Sequence, residues 1–314
     1  MNKKISFVIP CYAAEHTILQ VVQEVNEAME KMSGYIWEFV LVNDGSPDNT
    51  FDVICALCNT YSNVTGINLT KNFGQHAALM AGFNHVRGDI IVCLDDDGQT
   101  PGNEVNKLIN KIEEGYDVVY AKYLNKKHSV FRNFGSMINS KMMEYLLDKP
   151  KELFISSYFA VRKYIVDEII KYDNSFPYVI GLVLRTTKSI GNVNVNHRNR
   201  MTGNSGYSFK KLLSLWMNGF TAFSVKPLRL ASFSGVLFAL IGFVSIIILV
   251  LNKLLHPTEV MLGWSSTMSV MMLIGGILLI VLGIIGEYIG RIYICINKSP
   301  QYIIREQVAS KIEI

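Results

Sequence analysis

The sequence predicts an α/β domain with a mostly parallel central sheet, followed by an interfacial amphipathic helix and two transmembrane helices. Three observations support this fold class. Short apolar runs alternate with stretches of helical periodicity over roughly the first 125 residues, which is the pattern of βαβ units. Clusters that contain carboxylates directly follow two of these runs. Two long uncharged runs lie beyond residue 230, in a chain that is 50% hydrophobic.

The order of the elements follows from the apolar pattern. A first helix is indicated by apolar residues that recur every three or four positions: Ile18, Val21, Val22, Val25, Met29 and Met32. A second helix is expected over Gln75–Val86. The predicted strands are Ile5–Ile9, Phe39–Val42, Val64–Leu69 and Ile90–Leu94. The first run is too short for the core of a signal peptide, so we expect the α/β domain to begin there.

The segment after residue 230 is expected to form a two-helix membrane anchor. Residues 231–251 carry no charge, and at about 1.5 Å per residue they span the roughly 30 Å hydrocarbon core of a bilayer. Residues 268–286 form a second such run, and Lys253 is the only Lys or Arg between the two. Basic residues flank the pair on its outer sides: Lys210, Lys211, Lys226, Arg229, Arg291, Lys298 and Arg305. The positive-inside rule then predicts a membrane protein with both termini and the α/β domain in the cytoplasm.

A helix with one apolar face is expected before the first span. Its apolar residues lie beside Lys210 and Lys211: Phe209, Leu212, Leu213, Trp216, Phe220 and Phe223. This pattern favours a helix in the membrane interface, and the alternative is a helix packed under the soluble domain. The predicted organisation is an α/β domain over 1–207, an amphipathic helix over 208–229, the anchor over 230–290 and a C-terminal tail over 291–314.

Asp95, Asp96 and Asp97 directly follow the fourth predicted strand. Three like charges repel one another unless a cation lies among them, and carboxylate oxygens suit Mg²⁺ or Mn²⁺. In an extended chain Asp95 and Asp97 point to one side and Asp96 to the other. We therefore predict that Asp95 and Asp97 bind a divalent metal ion and a substrate diphosphate, with Asp96 meeting the nucleotide. The alternative is a solvated acidic loop.

Polar residues also follow the second and third predicted strands. Asp44 stands in a turn with the sequence Asn-Asp-Gly-Ser-Pro-Asp, and Lys71 opens a polar segment that ends at His76. Such a turn is ordinary by itself, so its position at a strand end gives it weight. Ligands of open α/β sheets bind at the carboxyl ends of the strands, and both segments are therefore expected to face one crevice. His76 is equally compatible with a ligand contact and with a helix start.

A basic segment lies just before the amphipathic helix. Arg198 and Arg200 are followed by Ser205 and Tyr207. Guanidinium groups bind phosphate oxygens bidentately, so these residues form a predicted phosphate clamp near the membrane. Anionic lipid headgroups are the alternative ligand, and the two interpretations are compatible.

Charge and cysteine content argue against other classes of protein. A net charge of +4 is too small to indicate nucleic-acid binding. The five cysteines are scattered and odd in number, which favours a reducing compartment. Cys55 and Cys58 form a C-x-x-C pair, but a thioredoxin-like context is missing, so they are interpreted as inert thiols on a helix.

Several motifs resemble those of the family-two glycosyltransferases, in particular the polyprenyl-phosphate glycosyltransferases. The matching segments cover nearly the whole chain: Val8–Tyr12, Asn43–Ser46, Asn72–Ala78, Asp95-x-Asp97 with Gln99, Arg200-x-x-Gly203-x-Ser205-x-Tyr207, Phe223-Ser224-x-x-Pro227-Leu228-Arg229 and Gly286–Tyr293. The resemblance implies a nucleotide-diphospho-sugar transferase fold of the GT-A type. It implies inverting transfer of one sugar from a nucleotide-diphosphate sugar, expected to be a UDP-sugar, to undecaprenyl phosphate for cell-envelope glycans. It also implies a homo-oligomer, often a tetramer.

Chemistry and resemblance together give the predicted roles. Asp95 and Asp97 are the metal ligands, and with Arg200 they are the predicted catalytic residues. The predicted nucleotide-sugar contacts are Pro10, Tyr12, Glu15, Asp44, Lys71, Asp95 and Asp96. The predicted acceptor-phosphate contacts are Arg198, Arg200, Ser205 and Tyr207. A phosphate monoester has its second pKa near about 6, so the acceptor is itself a nucleophile and needs no strong base.

The sequence departs from the family pattern at several positions. Ala13 stands where the family usually has Asn, and Asn43 replaces the first acid of its Asp-Asp-Gly-Ser motif. The acid that commonly precedes the arginine at 162 is missing from Ser156–Tyr158. Asn43 and the missing acid favour one alternative function, a non-catalytic membrane scaffold that binds nucleotide sugars. A processive glycan synthase is a weaker alternative, because the sequence lacks its Gln-x-x-Arg-Trp motif and its additional spans.

Overall fold

The computed structural model of the protein consists of two compact units. Residues 3–123, 143–144, 149–196 and 264–309 are described, together with single positions between 233 and 255. Met1–Leu212 and Lys298–Ile314 belong to the first unit, and Leu213–Asn297 form the second. The chain therefore leaves the first unit and later returns to it.

The described part of the first unit is built from strands and helices that alternate along its N-terminal half. The strands are β1 (Lys3–Cys11), β2 (Tyr35–Asn43), β3 (Val64–Leu69), β4 (Ile90–Cys93), β5 (Val118–Tyr123), β6 (Phe159–Arg162), β7 (Ile190–Val195) and β8 (Ile304–Ala309). The helices are α1 (Ile18–Glu30), α2 (Thr50–Thr60), α3 (Gln75–Phe83), α4 (Val105–Glu113), α5 (Lys163–Ile169) and α6 (Val179–Thr186). The four predicted strands and the two predicted helices are confirmed, although α3 ends three residues before the expected boundary.

All eight strands form one sheet in the order β7-β5-β6-β4-β1-β2-β3-β8. The central strands β4, β1, β2 and β3 run parallel to one another, and β5 runs parallel to β7. Strand β6 is antiparallel to both of its neighbours, and β8 is antiparallel to β3 at the sheet edge. The predicted mostly parallel α/β sheet is therefore confirmed. Its four central strands direct their carboxyl ends towards the same edge.

Helices cover both faces of the central strands. The apolar face of α1 is buried as the periodicity predicts, and it packs in one cluster with Ile5, Phe7 and Ile9 of β1. Side chains alternate between the faces of a strand, so Val8 points to the other side. There α3 approaches so closely that a Cβ on Gly82 would lie 2.4 Å from Val8 Cγ1. Because both faces are covered, β1 has consecutive buried apolar residues at Phe7, Val8 and Ile9 rather than an alternating pattern.

The second unit contains one long helix among its described residues, α7 (Trp264–Ile296). The predicted span 268–286 lies inside it, and Leu273–Ile296 is long and apolar enough to cross a membrane, with a mean hydropathy of 2.2. Of the predicted span 231–251 only single positions are described, and these are helical with exposed apolar side chains: Phe233, Leu237, Leu240, Val244, Ile247, Ile248 and Leu251. The predicted amphipathic helix over 208–229 lies outside the described residues.

Candidate active site

The candidate active site lies at the carboxyl ends of β1, β2, β3 and β4. Backbone contacts hold these strand ends together, since the Asp44 N–H donates to Cys11 O over 2.9 Å. The Tyr12 N–H donates to Asp96 Oδ2 over 2.8 Å, which joins the end of β1 to the acidic cluster after β4. The polar segments that the sequence placed at separate strand ends therefore meet at one edge of the sheet.

Asp95 is held by side chains from two other segments. Gln75 Nε2, at the start of α3, donates to Asp95 Oδ1 over 3.0 Å. The Ser157 hydroxyl, just before β6, donates to Asp95 Oδ2. These two donors fix the rotation of the carboxylate. The sequence offered no specific role for either of them, because neither belongs to a motif with an assigned contact.

Asp96 and Asp97 point into different surroundings from Asp95. Burial raises the pKa of Asp96 to about 7, and the charges of Asp95 and Asp97 raise it too, against the lowering effect of the hydrogen bond from Tyr12. Asp97 Oδ1 accepts a hydrogen bond from the Gln99 N–H over 3.0 Å, which closes a tight turn after the strand. Packing three carboxylates into this turn is electrostatically unfavourable without a compensating cation.

The donor set suits an ion that is shared with a substrate rather than enclosed by protein. Within the described ranges, no group of three or more His, Cys, Asp or Glu side chains is arranged to hold a metal ion. Asp95 and Asp97 are two hard oxygen donors at a loop after a strand, and Mg²⁺ is commonly bound by one or two carboxylates together with substrate phosphates. These residues therefore fit a divalent cation that completes its coordination with a diphosphate.

Asp44 is buried, with 3% of its surface exposed, and holds the loop over residues 70–74 that follows β3. Its two carboxylate oxygens accept hydrogen bonds from the Phe73 and Gly74 N–H groups at 2.7 and 2.9 Å. Burial raises the pKa of Asp44, and these two hydrogen bonds lower it again in part. The contacts of Asp44 therefore shape the site, while its predicted contact with the nucleotide stays a prediction.

Gly45 lets the turn after β2 approach the 70–74 loop. Its φ is +61°, and a Cβ at this position would lie 2.3 Å from the carbonyl carbon of Lys71. No residue with a side chain fits without moving that backbone. The Asp-Gly pair of the sequence is therefore a packing requirement as well as a turn.

The remaining predicted nucleotide-sugar residues lie around the same strand ends. Tyr12 is 51% exposed, and Pro10 and Glu15 are part-exposed. Glu15 Oε2 accepts a hydrogen bond from the Asn49 N–H over 3.0 Å, so it joins the loop after β1 to the start of α2. Lys71 is exposed, with Nζ 5.1 Å from the centre of the Phe73 ring. All four side chains border the edge that carries the acidic cluster.

His76 makes packing contacts in this structure. Its ring lies edge-on to the Tyr178 ring, with the two centres 4.9 Å apart. The ring is partly exposed, whereas its Nδ1 atom is buried and has no hydrogen-bond partner among the described residues. Burial lowers the pKa of His76 to about 4, so the ring is neutral at physiological pH. These contacts favour the interpretation of His76 as a helix-start residue.

The predicted acceptor residues and the predicted thiols have different outcomes. Arg198, Arg200, Ser205 and Tyr207 lie outside the described residues.

Cys55 and Cys58 lie on α2 as expected, and both are free thiols. Burial raises the pKa of Cys58 to about 11, which is the property of an unreactive thiol.

This fold is that of a glycosyltransferase. Residues 6–170 match the family described as glycosyl transferase family 2, more than half of the chain. The chain therefore belongs to glycosyl transferase family 2. Residues 226–292 match a second description, the GtrB C-terminal hairpin, which covers both predicted spans.

Two relatives match this chain over almost their full length. The chain is 33% identical over 311 residues to the undecaprenyl-phosphate 4-deoxy-4-formamido-L-arabinose transferase of Yersinia pestis (strain Pestoides F), covering 98% of this chain and 95% of the relative. It is 33% identical over 308 residues to the protein of the same name from Salmonella paratyphi B, covering 98% and 94%.

Solved structures share the fold at lower identity. Mannosyl-3-phosphoglycerate synthase from Rubrobacter xylanophilus superposes with a TM-score of 0.53 at 14% identity, covering 72% of this chain and 74% of that one. Glucosyl-3-phosphoglycerate synthase from Mycobacterium tuberculosis, crystallised with Mn²⁺, UDP-glucose and glycerol 3-phosphate, gives 0.50 at 19% identity, covering 69% and 76%. These similarities support the GT-A type of α/β fold.

Proposed function

We propose that this glycosyltransferase moves a single sugar from a UDP-sugar to undecaprenyl phosphate, with inversion at the sugar carbon. The observation that carries the proposal is the acidic cluster after β4, which is hydrogen-bonded to the end of β1 and to the start of α3. The same chain also matches the C-terminal hairpin. The names of the relatives support undecaprenyl phosphate as the acceptor. The product is a lipid-phosphate-linked sugar for cell-envelope glycans.

The donor half of the reaction falls to the residues at the strand ends. Asp95 and Asp97 would hold a divalent cation, Mg²⁺ or Mn²⁺, beside the donor diphosphate. Such an ion neutralises charge that develops on the leaving nucleoside diphosphate. The remaining donor contacts are proposed to come from Pro10, Tyr12, Glu15, Asp44, Lys71 and Asp96. Their shared task is to fix the nucleotide and sugar for in-line attack.

The acceptor half is assigned to the basic segment before the anchor. Arg198 and Arg200, with Ser205 and Tyr207, are proposed to bind the lipid phosphate. A phosphate monoester is largely dianionic at neutral pH, so it attacks the sugar carbon without a strong base. Ser157 lies in the segment where the family commonly has an acid, and its hydroxyl donates to Asp95. This serine cannot act as a carboxylate base, which fits a mechanism that needs none.

The membrane arrangement is proposed from the sequence and from the connectivity of the first unit. Residues before and after the hydrophobic segment belong to one compact unit. A chain that leaves such a unit and returns to it can cross a bilayer only an even number of times. This supports two crossings, although only Leu273–Ile296 meets the length and composition of a span among the described residues. The basic flanks of the segment support a cytoplasmic α/β domain at the inner membrane. The domain boundaries given above, and a homo-oligomer such as a tetramer, remain predictions.

The test is a transfer assay with the full chain purified in detergent. Undecaprenyl phosphate is incubated with a panel of UDP-sugars and Mg²⁺ or Mn²⁺, and both the released UDP and the lipid product are measured. We expect one sugar to be transferred in a metal-dependent reaction, with NMR showing inversion of its anomeric configuration. Asp97→Asn should lower the rate by on the order of 100-fold or more.

Asp173→Asn is the matched control, because Asp173 is an exposed carboxylate in the segment after α5. It should transfer sugar at the rate of the unchanged protein. UDP-sugar binding without transfer of any sugar would favour the non-catalytic scaffold. Full activity of Asp97→Asn would exclude the metal assignment.

A further inference from the structure

A row of polar side chains crosses three neighbouring strands beside the donor site. Asn43 on β2 is the register partner of Asn68 on β3, and Asn68 is the register partner of Glu306 on β8. Asn43 Nδ2 donates to Asn68 Oδ1 over 2.8 Å, and Asn68 Nδ2 donates to Glu306 Oε1 over 2.9 Å. The row therefore runs from the C-terminal strand to the end of β2, where Asp44 begins the turn.

The carboxylate at one end sets the direction of every hydrogen bond in this row. An ionised carboxylate can only accept, so Asn68 must present its NH₂ group to Glu306 and its oxygen to Asn43. Asn43 must then present its NH₂ group to Asn68, which leaves its oxygen for the backbone. That oxygen, Oδ1, accepts a hydrogen bond from the Ser46 N–H over 3.3 Å. Both amides are buried, and a reversed orientation would leave Ser46 without its acceptor.

The same C-terminal segment holds the 70–74 loop from its other side. The Thr70 N–H donates to Ile303 O over 3.0 Å, and Arg305 Nη2 donates to Thr70 O over 3.2 Å. Asp44 holds the far end of this loop through Phe73 and Gly74, as described above. The segment 303–306 thus contacts the loop after β3 directly, and it is linked to the end of β2 through Asn68.

We propose that Glu306 is a positioning residue for the nucleotide-sugar site, acting through Asn68 and Asn43 on the turn that carries Asp44. The inference rests on the proposed function for its substrate, and it adds a requirement that the motifs at the strand ends do not contain. Glu306 follows the hydrophobic segment in the chain. The row of hydrogen bonds beside the donor site is therefore complete only after the chain has returned from that segment.

The direction of the hydrogen bonds in this row predicts how substitutions at its two ends change KM for the UDP-sugar. Glu306→Leu removes the terminal acceptor and should raise KM for the UDP-sugar by on the order of tenfold, with a smaller change in KM for undecaprenyl phosphate. Glu306→Gln keeps an acceptor oxygen, so its KM should lie closer to that of the unchanged protein. Asn43→Asp turns the other end into an acceptor, which forces Asn68 to direct its oxygen at Glu306 and should also raise KM.

The double variant Asn43→Asp with Glu306→Gln is the decisive measurement. The side-chain amide introduced by Glu306→Gln can donate to Asn68, so the reversed row is again complete and KM should recover towards that of the unchanged protein. Gln307→Leu, on the opposite face of β8, is the matched control and should leave KM unchanged. The proposal would be overturned if Asn43→Asp raised KM for the UDP-sugar equally in the unchanged protein and in Glu306→Gln. It would also be overturned if Glu306→Leu kept the KM of the unchanged protein.

Two further readouts separate this inference from the proposed function. Hydrogen exchange of the Ser46, Phe73 and Gly74 amides should be faster in Glu306→Leu and Asn43→Asp and recover in the double variant, whether or not any sugar is transferred. Alkylation of Cys58 reports on docking of β8, because Cys58 Sγ donates to Val308 O over 3.6 Å and the residue is buried. Cys58 should stay protected in every variant. Rapid alkylation in Glu306→Leu would mean that the strand itself detaches, and this would overturn the role given to the Glu306 hydrogen bond.

Discussion

The Ser157 hydroxyl donates a hydrogen bond to Asp95 Oδ2 across 62 positions of the chain. Gln75 holds the other oxygen of the same carboxylate over 3.0 Å. Partners of this kind orient a metal-binding carboxylate, and their loss commonly costs about 10- to 100-fold in metal affinity or activity. The two donors come from separate segments, so the orientation of Asp95 depends on the assembled sheet.

Replacing Ser157 should therefore weaken metal binding at the site proposed for Asp95 and Asp97. Ser157→Ala is expected to lower the affinity for Mn²⁺ in the presence of UDP by about tenfold, measured by titration calorimetry. Ser157→Thr keeps the hydroxyl and should restore most of the affinity. Ser62→Ala changes an exposed serine in the turn before β3 and serves as the control. Unchanged Mn²⁺ affinity in Ser157→Ala would contradict a role in orienting Asp95.

The two glycines at 34 and 45 allow the close contact at Gly45 to be tested apart from backbone strain. Both have positive φ, +87° at Gly34 and +61° at Gly45, so an alanine at either position is strained by on the order of 1 kcal/mol. Only at Gly45 would the new Cβ meet the Lys71 backbone, since nothing lies within 4 Å at Gly34.

Gly45→Ala should consequently lose UDP binding, and Gly34→Ala should lose only stability. The expected reason is displacement of the 70–74 loop from Asp44. Calorimetric titration with UDP and thermal unfolding measure the two effects. Equal UDP affinity in the two variants would mean that the 70–74 loop tolerates the displacement.

Ala13 is a strained residue whose replacement should stabilise the protein. Its φ is +54°, in the left-handed region that Asn adopts more readily than Ala, and the residue is exposed. Ala13→Asn is therefore expected to stabilise the first unit by about 0.5–1 kcal/mol and to raise the melting temperature by roughly 1–4 °C. Thermal unfolding in detergent measures this change. Ala56→Asn, on helix α2, is the comparison and should lower stability, because Asn is a poor helix former.

His76 predicts a pH dependence of stability whose sign follows from its burial. Its pKa is lowered to about 4, against about 6.5 for an unfolded histidine. The unfolded chain then binds more protons between those values, so this contribution to stability is complete above about pH 6.5 and is lost as the pH falls towards about 4.

His76→Phe removes this titration and keeps a ring against Tyr178. The melting temperature of His76→Phe should therefore fall less than that of the unchanged protein between about pH 7 and about pH 5. Identical slopes for His76→Phe and the unchanged protein would show that His76 does not titrate in this range.

The elements that local pattern can specify were predictable from the sequence. The buried face of α1 and the four central strands follow from apolar spacing, which depends only on neighbouring residues. The acidic cluster was also found from its position after a strand. Strand β8 was missed, since it is short and mostly exposed, and its pairing with β3 is antiparallel at an edge. Nothing in its composition separates it from a tail.

The functions of individual polar residues depended more on the tertiary structure. Asp44 is prominent in the sequence as an acid at a strand end, yet its described partners are backbone N–H groups of a distant loop. Asn43 looks like a lost acid, but an amide is what the row to Glu306 requires. For both residues, the role depends on the hydrogen-bond partner that the folded chain brings next to the side chain.

The sequence by itself determined the α/β class, the strand ends at which the candidate site lies and the hydrophobic segment after residue 230. Periodicity, charge and the order of strands along the chain are all properties of consecutive residues. Tertiary structure alone decided that Ser157 and Gln75 bond to Asp95 and that Glu306 lies opposite Asn68. The physical reason is that a hydrogen bond depends on distances of a few ångströms, and residues 20, 62 or 238 positions apart come that close only when the sheet has formed.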